Sequence, residues 1–203
     1  MKKKMISLFT GAGGLDWGFH NSNNYELVIA NEILKPHLKT YSDNHKIKLI
    51  DIEEYNNDED VAVCGDIHEL SIPLKTDIIM GGPPCQDFSV LRGSDNRAGF
   101  TVKRGKLYEQ YLRIIKSTNP DVFVFENVVG MVSANKGAAY ETIQEDFENA
   151  GYDLVFNEIL NMANIGVPQA RKRLIIIGIN KMLKINKSKV DGIINKYLRN
   201  PIL

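Results

Sequence analysis

Residues 81–89, Gly-Gly-Pro-Pro-Cys-Gln-Asp-Phe-Ser, set a cysteine behind two prolines and a glycine pair, directly after the apolar run Ile78 to Met80. Proline fixes its own φ and pushes the residue before it out of the helical region, so Pro83 and Pro84 pre-set the direction in which Cys85 leaves the strand. This is the pattern of a nucleophile on a stiff turn, with little freedom left to lose when a substrate docks. A buried structural cysteine is the alternative reading, and Cys64 in Val61-Ala62-Val63-Cys64 fits it. Two further segments bring charge to strand ends. Asp121-Val122-Phe123-Val124-Phe125 suits a buried parallel strand and ends in Glu126-Asn127-Val128, so a carboxylate sits where the strand opens. Gly166-Val167-Pro168-Gln169-Ala170-Arg171-Lys172-Arg173 leads into the strand-like Leu174 to Gly178 and offers two forked guanidiniums, Arg171 and Arg173. A free thiol with a pKa of about 8.5 is mostly un-ionised near neutrality, so a nucleophilic Cys85 needs cations such as these nearby. Glu126 as a helix cap and 169–173 as an ion-paired surface turn remain the structural alternatives.

A second group surrounds the glycine-rich opening Phe9-Thr10-Gly11-Ala12-Gly13-Gly14-Leu15, which follows the first apolar run. Ligands of open α/β sheets bind beyond the carboxyl ends of the strands, and glycine lets a ligand approach the backbone closely. No Gly-Lys-Ser/Thr follows, and Asp16 stands where the dinucleotide fingerprint needs its third glycine. Phosphate is therefore not the implied ligand. Glu32 follows the second strand about 20 residues on, where an acid accepts hydrogen bonds from ribose hydroxyls, and Asp66 follows the third. Either acid can also be a helix cap or an exposed turn residue.

The elements that must position these groups alternate. Apolar runs at 4–9, 26–30, 61–64, 78–80, 122–125, 154–160 and 174–179 are interleaved with helix-like stretches near 15–20, 36–44, 107–116 and 138–149. That predicts βαβ units, an α/β class and a mostly parallel sheet. Only a loop with no helical pattern, 161–173, separates the last two strands, which are therefore expected to pair antiparallel because a parallel crossover usually needs a helix. Residues 51–60 and 90–104 read as loops, and the second, beside Cys85, is a candidate lid over substrate.

The motifs PPCQ, ENV and QARKR, with the opening FTGAGGL, resemble the cytosine-5 DNA methyltransferase family in content and order, over nearly all of the chain up to about Gly178. The resemblance implies a Rossmann-like S-adenosylmethionine-dependent methyltransferase fold, mostly parallel and ending in an antiparallel hairpin. It implies that Phe9 packs on the adenine and that Gly11, Ala12, Gly13, Gly14 and Leu15 form the cofactor turn. Glu32 and Asp66 hold the ribose and the adenine amino group, with Ile33, Ile67, Pro83 and Leu107 as walls. In the reaction so implied, Cys85 adds to carbon 6 of a cytosine flipped out of DNA, Glu126 contacts ring nitrogen 3 and the exocyclic amine, Arg173 contacts the ring carbonyl, and Arg171 orients. Methyl transfer to carbon 5 leaves S-adenosylhomocysteine, and no metal is expected.

At 203 residues the chain suits one domain with a substantial core. The expected organisation is a catalytic domain over 1–180 followed by a basic tail or linker over 181–203, where Lys181, Lys184, Lys187, Lys189, Lys196 and Arg199 meet few acids. Two cysteines and no metal-ligand spacing predict a reducing, cytoplasmic setting without structural zinc, and the short apolar stretch after Met1-Lys2-Lys3-Lys4 predicts neither a signal peptide nor membrane association. Formal neutrality argues against the chain gripping DNA alone. Family members continue into a target-recognition domain and a returning helix beside the first glycine loop. A second polypeptide carrying these parts is therefore an expected partner, and the apolar face around Leu15 and Phe19 is expected to be uncovered. Methylation of tRNA, or a non-catalytic nucleotide- or partner-binding module, are the competing functions.

Overall fold

The computed structural model describes residues 1–84 and 107–198. Cys85, the lid expected over 90–104 and Arg199 lie outside the described residues. Eight strands form one sheet of order β3-β4-β2-β1-β5-β6-β8-β7, and the chain divides into two compact units.

The first unit, residues 1–84 and 107–123, carries β1 (Lys3–Leu8), α1 (Trp17–Asn21), β2 (Tyr25–Glu32), α2 (Lys35–His45), β3 (Lys48–Asp51), β4 (Val61–Cys64), β5 (Ile78–Gly81) and α3 (Leu107–Thr118). The pairs β1–β2, β1–β5, β2–β4 and β3–β4 are all parallel. Strands covered on both faces read as unbroken apolar runs, and β4 and β5 are buried at every position. Helix α2 begins with Pro36 in its first turn, where the missing N–H costs nothing, and stops at Lys46 in the left-handed region. Its buried Leu38, Tyr41 and His45 fall at helical spacing on one face. Helix α3 likewise buries Tyr111, Leu112, Ile114, Ile115 and Thr118.

The second unit holds most of β6 (Val122–Val128), then α4 (Gly130–Ser133), α5 (Ala138–Asn149), β7 (Tyr152–Asn161), β8 (Lys172–Asn180) and α6 (Lys187–Leu198). Strands β7 and β8 pair antiparallel from Tyr152↔Asn180 to Asn161↔Lys172, as the lack of a helical pattern between them predicts. Burial alternates along β8, which is the signature of a strand with one face packed. On α5, Ala139, Ile143 and Phe147 are buried, and the Phe147 ring meets Phe125 of β6 edge-on at 5.6 Å.

Two expectations are corrected. Residues 48–51 form a strand that the sequence reading omitted, so Asp66 follows the fourth strand of the chain rather than the third. Lys-Leu-Ile-Asp is short and half charged, a composition tolerated because β3 ends the strand order, where edge strands carry lysine. The first helix starts only at Trp17, because hydrogen-bonded turns occupy the chain from Gly11 to Asp16. Among the described residues no helix is long and apolar enough to cross a membrane.

Candidate active site

In the first unit, β1, β2 and β4 are neighbours in parallel register, so their carboxyl ends bring Phe9, Glu32 and Asp66 to one edge of the sheet. Backbone hydrogen bonds tie these ends together. Thr10 N–H donates to the Asn31 carbonyl (3.2 Å) and Gly65 N–H to the Glu32 carbonyl (3.1 Å). The buried Asn31 amide donates to the carbonyls of Val63 (3.1 Å) and Gly65 (3.2 Å). The Glu32 carboxylate accepts from Gly11 N–H at 3.0 Å through Oε2 and from Leu34 N–H at 3.0 Å through Oε1. Both oxygens are thus fixed by the backbone, and each carboxylate oxygen keeps a second acceptor direction.

Phe9 has φ 55°, a left-handed conformation that is a true outlier for a bulky residue and recurs at ligand clamps. In the turn that follows, Gly13 has φ 94°, and a Cβ there would stand 2.8 Å from His45 Nε2 and 3.0 Å from the Tyr41 ring. The turn is seated on α2, and only glycine fits. Beneath it the Tyr41 hydroxyl donates to Asp16 Oδ2 at 2.5 Å, and the His45 ring stacks on Tyr41 at 4.1 Å between centroids. Burial first, and the Asp16 charge second, push the Tyr41 hydroxyl pKa far up. Burial holds the His45 imidazole below its ordinary value against the pull of Asp16. Among the described residues, Asp16 Oδ1 and both His45 ring nitrogens are buried without a hydrogen-bond partner. Asp16, noted in the sequence only for not being glycine, therefore props the turn from below.

Asp66 stands two residues beyond β4, and its Oδ1 accepts from His68 N–H (3.0 Å) and meets His68 Nδ1 at 2.6 Å. The turn carrying them is anchored by Arg113 of α3, whose guanidinium donates to the carbonyls of Ile67 (2.8 Å) and Leu70 (2.9 Å). Burial lowers the Arg113 pKa. Neither Arg113 nor His68 carries a signal in the sequence. Of the expected wall residues, Ile67 and Pro83 are buried, Leu107 is half-buried and Ile33 is exposed. Leu15 and Phe19 are both half-buried, Phe19 against Tyr25 at 5.2 Å, while Trp17 is exposed.

In the second unit, the structure brings together Glu126 of β6 and Arg173 of β8, with Arg173 Nε 2.8 Å from Glu126 Oε1. Both side chains are more than two-thirds covered. Desolvation raises the Glu126 pKa above its ordinary value, and this outweighs the downward pull of Arg173 and, after it, Arg171. The carboxyl consequently takes up a proton more readily than an exposed glutamate. The segment before Arg173 is shaped locally. Asn161 caps a short turn by accepting from Ala163 N–H, Gly166 is left-handed at φ 93°, and the Arg171 carbonyl accepts from Met162 N–H at 2.9 Å. Asn127 is buried and accepts from Val128 N–H at 2.8 Å, which stiffens the strand end that carries Glu126.

A profile of the C-5 cytosine-specific DNA methylase family matches residues 3–200. The chain is 43% identical to the DNA (cytosine-5-)-methyltransferase M.ApeKI of Aeropyrum pernix, over 88% of this chain and 44% of that protein. It is 40% identical to the type II methyltransferase M.FnuDI of Fusobacterium nucleatum, over 98% of this chain and 54% of that one. Among solved structures it is similar to a candidate DNA modification methyltransferase encoded in an Escherichia coli prophage, with a TM-score of 0.68, 26% identity and coverage of 91% of this chain and 49% of the other. The chain spans about half the length of these relatives. With its ordered motifs, its mostly parallel sheet and its closing antiparallel pair, this chain belongs to the C-5 cytosine-specific DNA methylase family.

Proposed function

We propose that the chain is the catalytic part of an enzyme that methylates carbon 5 of cytosine in DNA, with S-adenosylmethionine as methyl donor. The observation that carries the proposal is the Glu126–Arg173 pair, a largely covered carboxyl of raised pKa locked to a guanidinium. Carbon 5 of cytosine is a poor nucleophile, and it becomes enamine-like when a thiolate adds at carbon 6 and a proton or strong donor relieves the charge at ring nitrogen 3. Glu126 is suited to supply that proton. Arg173 is suited to hold both the carboxyl and the ring carbonyl, and Arg171 adds positive charge nearby. Cys85 is assigned as the thiolate. After methylation a base, for which water serves, takes the carbon 5 proton, the 5,6 double bond re-forms and the sulfur leaves as the thiolate. The target base leaves the duplex to be reached, at a cost of roughly a few kcal/mol.

The first unit suits the cofactor. Gly11, at φ 55°, has open space where a Cβ would stand and leaves its backbone accessible to a ligand, Phe9 is held in a strained conformation, and Glu32 presents a fixed pair of acceptors. Phe9, the 11–15 turn, Glu32, Asp66 and the walls Ile33, Ile67, Pro83 and Leu107 would hold S-adenosylmethionine, which supplies an electrophilic methyl group on a sulfonium. Sequence reading is assigned to a further part, on the same or a second polypeptide, because specificity requires several groups at base edges and this chain is formally neutral. Residues 1–180 are taken as catalytic and 181–203 as a connecting tail, acting in the cytoplasm.

Cys85→Ser should abolish methyl transfer and leave cofactor binding nearly intact, while DNA containing 5-fluorocytosine should trap the unaltered enzyme covalently. Tritiated S-adenosylmethionine offered with DNA or tRNA, with and without a recognition polypeptide, tests the substrate. Label in tRNA alone, label in neither when the recognition polypeptide is present, or turnover by the serine variant would refute the proposal.

A further inference from the structure

We propose that Asn31 is a positioning residue for the cofactor, its buried amide setting the spacing between Glu32 and Asp66, the two carboxylates assigned to the adenosyl group. This rests on the assignment of the first unit to S-adenosylmethionine.

An amide stands out at this place in β2. The three residues before it, Val28, Ile29 and Ala30, are apolar and fully buried, and Asn31 itself is 2% exposed. A buried amide costs free energy unless its donors are used. The Asn31 amide nitrogen, which carries two donors, bonds the carbonyls of Val63 (3.1 Å) and Gly65 (3.2 Å) on the neighbouring chain segment. The main-chain carbonyl of Asn31 accepts from Thr10 N–H at 3.2 Å. One residue therefore reaches all three segments that carry assigned ligand groups: Phe9 precedes Thr10, Glu32 follows Asn31, and Asp66 follows Gly65.

The tie acts where the strand ladder ends. β2 and β4 stay in register as far as Glu32↔Cys64, and one further backbone bond joins Gly65 N–H to the Glu32 carbonyl at 3.1 Å. The next peptide plane, which leads from Gly65 into Asp66, is held to β2 by the Asn31 amide, and Gly65 has no side chain to restrict rotation there. The turn beyond is fastened elsewhere. It closes through Glu69 N–H on the Asp66 carbonyl (3.0 Å), and Arg113 of α3 grips the carbonyls of Ile67 and Leu70. Without the Asn31 amide, Asp66 keeps its own contacts and stays with α3, while Glu32 stays with β2 and Gly11. What changes is the gap between them, and a ligand gripped from both sides needs that gap held to about 0.5 Å.

The test is calorimetry with S-adenosylhomocysteine, together with thermal melting, on the full chain as wild type, Asn31→Ala and a control, Thr76→Val. The buried Thr76 hydroxyl donates to the Lys4 carbonyl at 2.8 Å, so valine removes a buried tie at the amino ends of β1 and β5, away from the ligand groups. Both variants should melt lower than wild type. Asn31→Ala should bind about tenfold more weakly at unchanged stoichiometry, whereas Thr76→Val should bind within about twofold of wild type. An Asn31→Ala protein whose folded fraction binds within about twofold of wild type overturns the role of Asn31 and leaves the cofactor assignment standing. Equal weakening in Thr76→Val also overturns it, because the loss then follows stability rather than position. If Asn31→Ala does not fold, Asn31→Ser, which keeps one donor, is judged by the same criteria. Failure of both to fold makes the amide a support of the fold alone and overturns the proposal. A wild type that does not bind S-adenosylhomocysteine overturns the cofactor assignment and the role of Asn31 together.

Discussion

Glu32 joins two requirements, since the same carboxylate that is assigned to the ribose also holds the glycine turn. Glu32→Ala removes two backbone-to-carboxylate hydrogen bonds of 3.0 Å, from Gly11 and from Leu34. The group is half-buried, so water replaces part of each, and about 1 kcal/mol per bond is a fair value. The fold should lose roughly 2 kcal/mol, which for a domain of this size lowers the melting temperature by about 4–8 °C. Loss of an acceptor from a bound ribose hydroxyl costs on the order of 1–3 kcal/mol in addition, so affinity for S-adenosylhomocysteine should fall about tenfold or more. Glu32→Gln keeps one acceptor oxygen but turns an NH2 toward a backbone donor, and it should fall between the two in both measurements. Scanning fluorimetry and titration calorimetry on the same preparations separate the effects. A Glu32→Ala protein that melts lower yet binds within twofold of wild type would leave Glu32 as a tie for the turn and remove it from the ligand site. Unchanged melting would refute the hydrogen bonds themselves.

Two further outcomes follow from the same turn. Gly13→Ala places a methyl 2.8 Å from His45 Nε2 at a φ of 94°, so thermal denaturation should show a loss of roughly 2–3 kcal/mol; a stability equal to wild type would mean that the turn can move off α2. Because burial holds His45 below its ordinary value of 6.5, with Asp16 pulling it up and His20 pushing it down, the unfolded chain binds a proton where the fold does not. The stability owed to neutral His45 is fully present above about pH 6.5 and is lost as pH falls from there toward the folded value. His45→Phe should flatten denaturation midpoints over that window while retaining the stack on Tyr41, and equal slopes in the two proteins would refute the assignment.

Several features were legible from local chemistry alone. The glycine turn, the Pro-Pro step before Cys85, the carboxylate at the mouth of a buried strand and the paired arginines all declare themselves within a few residues, because backbone restriction and side-chain type are properties of the residue itself. The helix over 138–149 was bounded correctly by its apolar spacing, and the antiparallel closure of β7 and β8 followed from the lack of a helical pattern between them. Strand β3 escaped because an edge strand needs no apolar run to declare it.

The sequence by itself determined the family, the α/β alternation and which residue types stand at the strand ends. Only the tertiary structure decided which of them meet. Asp16 finds Tyr41 across 25 residues, Arg113 reaches the Ile67 carbonyl across 46, and Glu32 turns back on Gly11 across 21. Glu126 is joined to Arg173 because β6 and β8 are neighbours in the sheet. Such contacts depend on strand order and register, which arise from the packing of all the elements together. The raised Glu126 pKa and the lowered His45 pKa are of the same kind, since desolvation is imposed on a side chain by whatever the fold places around it.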